Sequence, residues 1–347
     1  MKPSRTEISD IGEFGLIDRI KSKVKTIHPS TILGINDDAA VLDANTSYTL
    51  FSTDMLLEGI HFDLSFTPLQ HLGYKSVVAN VSDIAAMNGI PKQLTVNLGL
   101  TNRFSVEAVD AFYNGVLKAC ANYKIDLVGG DTCASSSGMV ISISILGEVE
   151  PQKLVRRNTA KANDIICVTG DLGAAYAGLQ VLEREKEEFL ANPEMQPQLS
   201  GYEYIVGRQL RPDARTDIIY ELDELGIVPN SMIDISDGLA SDLKHICKQS
   251  GLGANLYEDK LPYDHSTLQT AIEFKMDIMT FVLNGGEDYE LLFTIQHDDF
   301  EKIKNHRDIH FIGYMQEAAK GINLITKTEQ AVPIIAQGWN HFESGQN

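Results

Sequence analysis

Five times in this chain an apolar, strand-like run gives way to acidic residues set beside Gly, Ser, Thr or Asn. They read Asn36-Asp37-Asp38, Ser52-Thr53-Asp54, Gly129-Gly130-Asp131-Thr132, Asp234-Ile235-Ser236-Asp237-Gly238 and Gly285-Gly286-Glu287-Asp288. Carboxylates carried on turns after strands can converge on one cleft, where they repel one another unless cations hold them together. One such step is ordinary turn chemistry, because Asp and Gly are common turn residues. Five together, with no matching Lys/Arg motif, point to Mg²⁺ and a phosphorylated ligand.

Composition narrows the partners. The 48 acidic residues outnumber 29 basic ones, for a formal net charge of −19, which argues against nucleic acid or an anionic membrane as the main partner. A polyanionic nucleotide would then need local help from metal ions or backbone N–H groups. No apolar run approaches the ~18–20 residues of a membrane span, and the polar, mixed-charge start does not resemble a signal peptide. Cys120, Cys133, Cys167 and Cys247 are scattered without a CxxC pair, the usage of a reduced, cytoplasmic protein. The nine histidines form no HExxH spacing, so a zinc site is not expected.

A length of 347 residues suits two domains. Strand and helix signals alternate, the mark of an α/β or α+β protein. A strand is expected over Tyr48 to Thr53, and a helix from Thr67-Pro68 to Asn88-Gly89. Ser76, Ala79, Asn80, Asp83 and Ala86 form a small and polar stripe on that helix, which aims Asp83 at something other than core. A strand over Gln93 to Leu100, a helix over Val106 to Tyr123, a short strand over Ile125 to Val128 and the alternating strand Val140 to Gly147 follow. A boundary is placed near Glu150-Pro151, giving domains 1–150 and 151–347. Beyond it come a strand at Ile165 to Thr169, the glycine turn Gly170 to Gly173, a charged surface segment Glu183 to Ser200, and a helix from Asp213 to Leu225. Met232 to Ile235 reads as a strand, and the run around Asp237 opens a helix ending at Ser250-Gly251. A helix N-terminus there would favour anions. Tyr289 to Ile295 reads as a strand.

No GxxxxGK[ST] loop and no HRD or DFG set is present. What remains is phosphoryl chemistry run by metal ions on carboxylates, in which the protein positions reactants and neutralises charge. Mg²⁺ takes only one or two carboxylates each, so six or more aspartates imply several ions.

The motifs GINDDAAVL, STDMLLEGIHF, VANVSDIAAMNGIP, GGDT, VTGDLGAAYAGL, IDISDGLASDL, NGGEDYELLFT and FIGYM carry a family resemblance running from Glu13-Phe14 to Trp339. The chain resembles the thiamine-monophosphate kinases, in the superfamily of aminoimidazole ribonucleotide synthetase and selenophosphate synthetase. STDMLLEGIHF with IDISDGL and GGEDYEL is specific to the kinase branch. A reactive Cys near the N-terminus would mark the selenophosphate branch, and the first Cys here is Cys120.

The resemblance implies a two-domain mixed α/β protein, paired as a homodimer through N-terminal strands, with its site in the cleft between domains. It implies ATP-dependent phosphorylation of thiamine monophosphate, the last step in making thiamine diphosphate. Asp38, Ser52, Thr53, Asp54, Asp83, Asp131, Asp234 and Asp237 match the family's Mg²⁺ ligands. Tyr113, Gly130, Asp131, Arg157 and Ser236 match its ATP contacts, and His61, Glu287 and Trp339 its substrate contacts. The chemistry of these residues agrees: a Trp ring stacks on a cationic heteroaromatic, a Glu accepts from an aminopyrimidine, and Arg157 pairs with phosphate. Departures from the pattern lie at Asn36, at Asn158-Thr159-Ala160 and Asn163 after Arg157, and at Ala174-Ala175-Tyr176. Because the acceptor phosphate is already anionic, no separate general base is expected, and transfer would be in line without a phosphoenzyme. A sibling synthetase acting on another acceptor and a non-catalytic binder of thiamine phosphates are the rival readings.

Overall fold

A computed structural model describes residues 31–33, 37–43 and 46–335. Two sheets organise them. The first has six strands in the order β1-β2-β3-β6-β4-β5: β1 Thr31–Leu33, β2 Ala40–Asp43, β3 Tyr48–Leu57, β4 Ile90–Leu100, β5 Asp126–Ala134 and β6 Val140–Val149. Its pairs are antiparallel except β4 with β5, which run parallel and are joined by a helical crossover. The second has seven strands in the order β13-β12-β9-β11-β7-β10-β8. These are β7 Ile165–Thr169, β8 Ser231–Asp234, β9 Leu252–Tyr257, β10 Leu291–Ile295, β11 Ile309–Glu317, β12 Ile322–Ile325 and β13 Ala331–Pro333.

Helix α1, Leu69–Ala86, lies between the sheets, touching β3 and β6 on one side and β8 on the other. It is buried nearly all round, so its apolar residues do not keep to one stripe. Val77, Val78, Val81 and Ile84 are fully shielded, each worth roughly 1.5–3 kcal/mol of transfer free energy. Helix α2, Val106–Tyr123, opens on a Ser105 cap that accepts from the Ala108 N–H and packs closely on α1. Gly73 and Gly115 permit that approach. A Cβ on Gly73 would overlap the Phe112 carbonyl oxygen, and one on Gly115 would overlap that of Gln70.

Around the second sheet are α3 Ala174–Ala191, α4 Glu203–Leu210, α5 Thr216–Glu224, α6 Leu239–Ser250, α7 His265–Glu273, α8 Ile278–Asn284 and α9 His297–Ile303. Helix α6 ends as its sequence directs, on Gly251 in the left-handed conformation.

The strand ends differ from the sequence reading in one way that bears on the site. Asp54 lies inside β3, and Gly129-Gly130-Asp131-Thr132 lies inside β5 rather than on a turn after it. Parallel pairing with β4 continues to Ala134, and Gly130 makes it possible because any side chain there would meet the Val96 carbonyl. Strand β4 begins at Ile90, so Pro91 sits near its start, beyond the end of α1. The segment before Gly285-Gly286 is helix α8, and the helix expected from Asp213 begins at Thr216.

Candidate active site

Asp38, Asp83 and Asp234 come together where the two sheets face each other across α1, with one oxygen of each carboxylate within 4.8 Å of the others. Three separate stretches supply them: the turn before β2, the last turns of α1, and the end of β8. Ser52 on β3 donates its hydroxyl to Asp83 Oδ2 at 2.5 Å, with the Asp38 carbonyl 3.2 Å from the same oxygen. Ser82 donates to Asp234 Oδ2 at 2.7 Å. Asp54, two residues beyond Ser52, points to the same face of β3 and adds its charge to Asp234 and Asp83.

Burial and mutual repulsion dominate the electrostatics. Burial, reinforced by Asp234, pushes the Asp54 carboxyl up to about 6. Asp83 rises well above the usual carboxylate range from burial and from the charges of Asp54 and Asp234, against the Ser52 hydrogen bond. Asp234 is raised by burial, opposed by Ser82 and Arg157. Arg157 is the cation described at this cluster. Its guanidinium is bidentate on Asp38 and reaches Asp37 Oδ1 at 3.2 Å, while its N–H donates to Asp37 Oδ2 at 3.3 Å. Even so, burial leaves Asp37 at about 6. One guanidinium cannot neutralise five carboxylates, and the remaining donors are hard oxygens in the pattern that suits Mg²⁺.

A second constellation stands beside the first. Glu287 accepts from Lys75 Nζ at 2.8 Å through Oε1 and from Gln209 Nε2 at 2.9 Å through Oε2. Its backbone is left-handed, with φ of 64°, and its N–H is held by the Ser236 carbonyl at 2.8 Å. The neighbouring acids are committed to the fold. Asp288 accepts from the N–H groups of Gly173 and Ala175 at the start of α3, and Glu290 takes Arg208, Arg215 and Thr169. The glycine turn Gly170 to Gly173 therefore already holds a carboxylate of the chain itself, and its glycines serve packing: a Cβ on Gly170 would meet Glu290.

The structure distributes the other expected site residues as follows. Ser236 is exposed at the mouth beyond β8, and Asp237 is half-buried beside it. Thr53 faces the opposite side of β3 from Ser52 and Asp54, its hydroxyl 2.9 Å from the Ile143 carbonyl and 3.0 Å from the Ser144 hydroxyl. Asp131 continues the outward row of Met55, Ser142 and Asn97 and is exposed, its Oδ1 accepting from the Thr132 N–H at 2.8 Å. Gly130 and Asp131 are thus not brought to the aspartate trio. Tyr113 is half-buried on α2, edge-on to Phe112. His61 follows β3 and accepts the Leu57 N–H on Nδ1 at 3.0 Å, which leaves Nε2 to carry the proton of a neutral ring. Trp339 and Asn36 lie outside the described residues.

Residues 36–149 match the N-terminal domain of AIR synthase related proteins. Thiamine-monophosphate kinase of Bacillus subtilis (strain 168) is 34% identical over 346 residues, covering 95% of this chain and 99% of the relative. That of Aquifex aeolicus (strain VF5) is 35% identical, covering 96% and 99%. The solved structure of AaThiL complexed with AMPPCP and TMP superposes with a TM-score of 0.83 at 33% identity, over 99% of this chain and 100% of that one.

The chain belongs to the thiamine-monophosphate kinase family.

Within that family's fold, three residues beyond those singled out from sequence stand at the site. Lys75 and Gln209 grip Glu287. Asp242, 2% exposed, accepts from the N–H groups of Asp237 and Gly238 and so shapes the Ser236-Asp237 loop. Burial, then Asp237 and Asp234, raises its carboxyl well above the usual range. The available signals were a single lysine in an otherwise small and apolar stretch of α1, and an acid four residues after Gly238.

Proposed function

We propose that this chain transfers the γ-phosphoryl group of ATP to the phosphate of thiamine monophosphate, giving thiamine diphosphate and ADP. The observation that carries the reading is the Asp38–Asp83–Asp234 trio, Asp234 buried and the other two half-buried, gathered from three separate stretches and flanked by Asp54. These four, with Asp237 and the Ser52 hydroxyl, would hold Mg²⁺ ions; Thr53 and Asp131, on the other face of the sheet, would need a different route to them. Bound there, Mg²⁺ would offset repulsion between two phosphate anions brought in line.

The chain's own residues do the rest by positioning. Arg157, whose planar guanidinium is held by Asp37 and Asp38, would turn that fork to a phosphate once cations take those carboxylates, and the exposed Ser236 would contact the nucleotide. Glu287 offers a carboxylate to the amino-substituted ring of the substrate, with His61 and Trp339 as further contacts. Among the described titratable groups none is assigned as general base, since the acceptor phosphate is already an anion. The division near residue 150 separates the two sheets, and each sheet with its helices would form one domain. A homodimer through the open face of the first sheet, which carries exposed Phe51 and Met55, completes it. No helix among the described residues is long and apolar enough to cross a membrane, and the four cysteines are free; both fit a cytoplasmic enzyme.

The experiment is ADP release from Mg-ATP with thiamine monophosphate, with unphosphorylated thiamine as control and product identified by mass. Thiamine diphosphate formed only from the monophosphate supports the proposal. Binding of both ligands without turnover overturns it.

A further inference from the structure

We propose that Lys75 is the positioning residue for recognition of thiamine monophosphate, acting through Glu287 and assisted by Gln209. The proposal rests on the kinase reading above. Lys75 lies mid-way along α1 and is 3% exposed, where Leu or Met would pack without the desolvation cost of an ammonium. Its Nζ donates to the Gln209 carbonyl at 3.0 Å and pairs with Glu287 Oε1 at 2.8 Å. The Gln209 side chain takes the other carboxylate oxygen at 2.9 Å. A helix of the first half of the chain and one of the second therefore close on a single glutamate.

Only part of Glu287 is used up by this grip. Each oxygen receives one protein donor and keeps a further lone-pair site, and the side chain retains 30% exposure. Asp288 and Glu290 are 1% and 3% exposed and spent on the fold, so Glu287 is the acid of this loop that is offered to a ligand. Its left-handed backbone is a costly conformation for a non-glycine residue, of the kind that persists only where surrounding contacts over-determine it. Tyr289, 6% exposed, is buried close enough to both groups that, after burial itself, the charges of Glu287, Asp54, Asp234 and Asp83 all act on its phenol. Loosening Lys75 should disturb capture of thiamine monophosphate while leaving the nucleotide contacts in place.

The test varies thiamine monophosphate and Mg-ATP separately in steady-state kinetics of the full chain. Lys75→Met should raise KM for thiamine monophosphate about tenfold, the scale of a hydrogen bond to a charged group. KM for Mg-ATP and kcat should stay within about twofold, and Lys75→Arg should recover part of the loss. Glu287→Gln should show the same one-sided rise, with Lys75→Met adding nothing further on top of it. Equal rises in both KM values, a kcat loss alone, or additive double variants would overturn the proposal. If Lys75→Met does not fold, Gln209→Leu decides on the same criteria, a rise confined to thiamine monophosphate supporting the assignment and a shared or absent rise refuting it. Wild-type protein that makes no thiamine diphosphate fails the kinase reading instead.

Discussion

At the scale of single residues, the aspartates behave as a unit because each is shielded from water and within reach of the others' charge. Asp54 illustrates the consequence. Its carboxyl ordinarily loses its proton near 3.8 and here does so at about 6. Between those values the folded protein binds more protons than the unfolded chain, so this group's contribution to stability is present below 3.8 and lost as pH rises through 6. Asp83 and Asp234 shift in the same direction. A divalent cation would pair the ionised forms and remove that penalty. The rise in melting temperature on adding Mg²⁺ to chelator-treated protein should therefore be larger at pH 8 than at pH 5. An equal or larger rise at pH 5 would show that the aspartates do not hold the ion. For catalysis, Asp54→Asn should lower kcat at least ~100-fold, the scale of losing one electrostatic stabiliser. A variant within a few-fold of wild type would remove Asp54 from the ligand set.

At the scale of elements, α1 is the part on which most depends, since it separates the sheets and carries both Asp83 and Lys75. Its crossing with α2 is tight because Gly73 and Gly115 leave room for backbone on backbone. Gly73→Ala should cost about 1–3 kcal/mol, the range for overpacking a core, seen as a lower denaturant midpoint with unchanged slope. An unchanged midpoint would mean that the helices can separate freely. This helix also shows what was legible in the sequence. Its span and the special character of Asp83 could be read from spacing, because small residues and a carboxylate at helical intervals signal a buried face. Lys75 could not be read that way: its role comes from Gln209 and Glu287, which meet it only in three dimensions. Strand β5 shows the reverse case. The Gly129-Gly130-Asp131 motif was visible, but its position inside a strand depends on the parallel partner β4, and pairing between distant strands leaves no local mark. Asp288 belongs to one of the five acidic steps, yet α3 uses it as an N-terminal anchor. Acidic side chains at turns satisfy helices as readily as they bind metals.

At the scale of the whole molecule, the first sheet has two different faces. Leu50, Ser52, Asp54 and Leu56 of β3 turn inward, while Phe51, Thr53 and Met55 turn outward. Phe51 and Met55 are 41% and 57% exposed on a strand that lies third in a six-stranded sheet, so the apolar surface is central, where it would be covered by a second copy. In a two-fold pairing the same patch appears on both subunits, so one substitution acts twice. Met55→Lys would place an ammonium in that patch on each subunit while leaving the inner face of β3, with Asp54, untouched. Light scattering should then give a dimer mass for the wild type and a monomer mass for Met55→Lys, with matching far-UV circular dichroism. A monomeric wild type would remove the dimer from the reading. An undissociated variant would move the interface off this face. Dissociation also bears on Asp131, which shares the outward surface: if that acid acts in the site of a neighbouring subunit, monomeric Met55→Lys should lose turnover along with its mass.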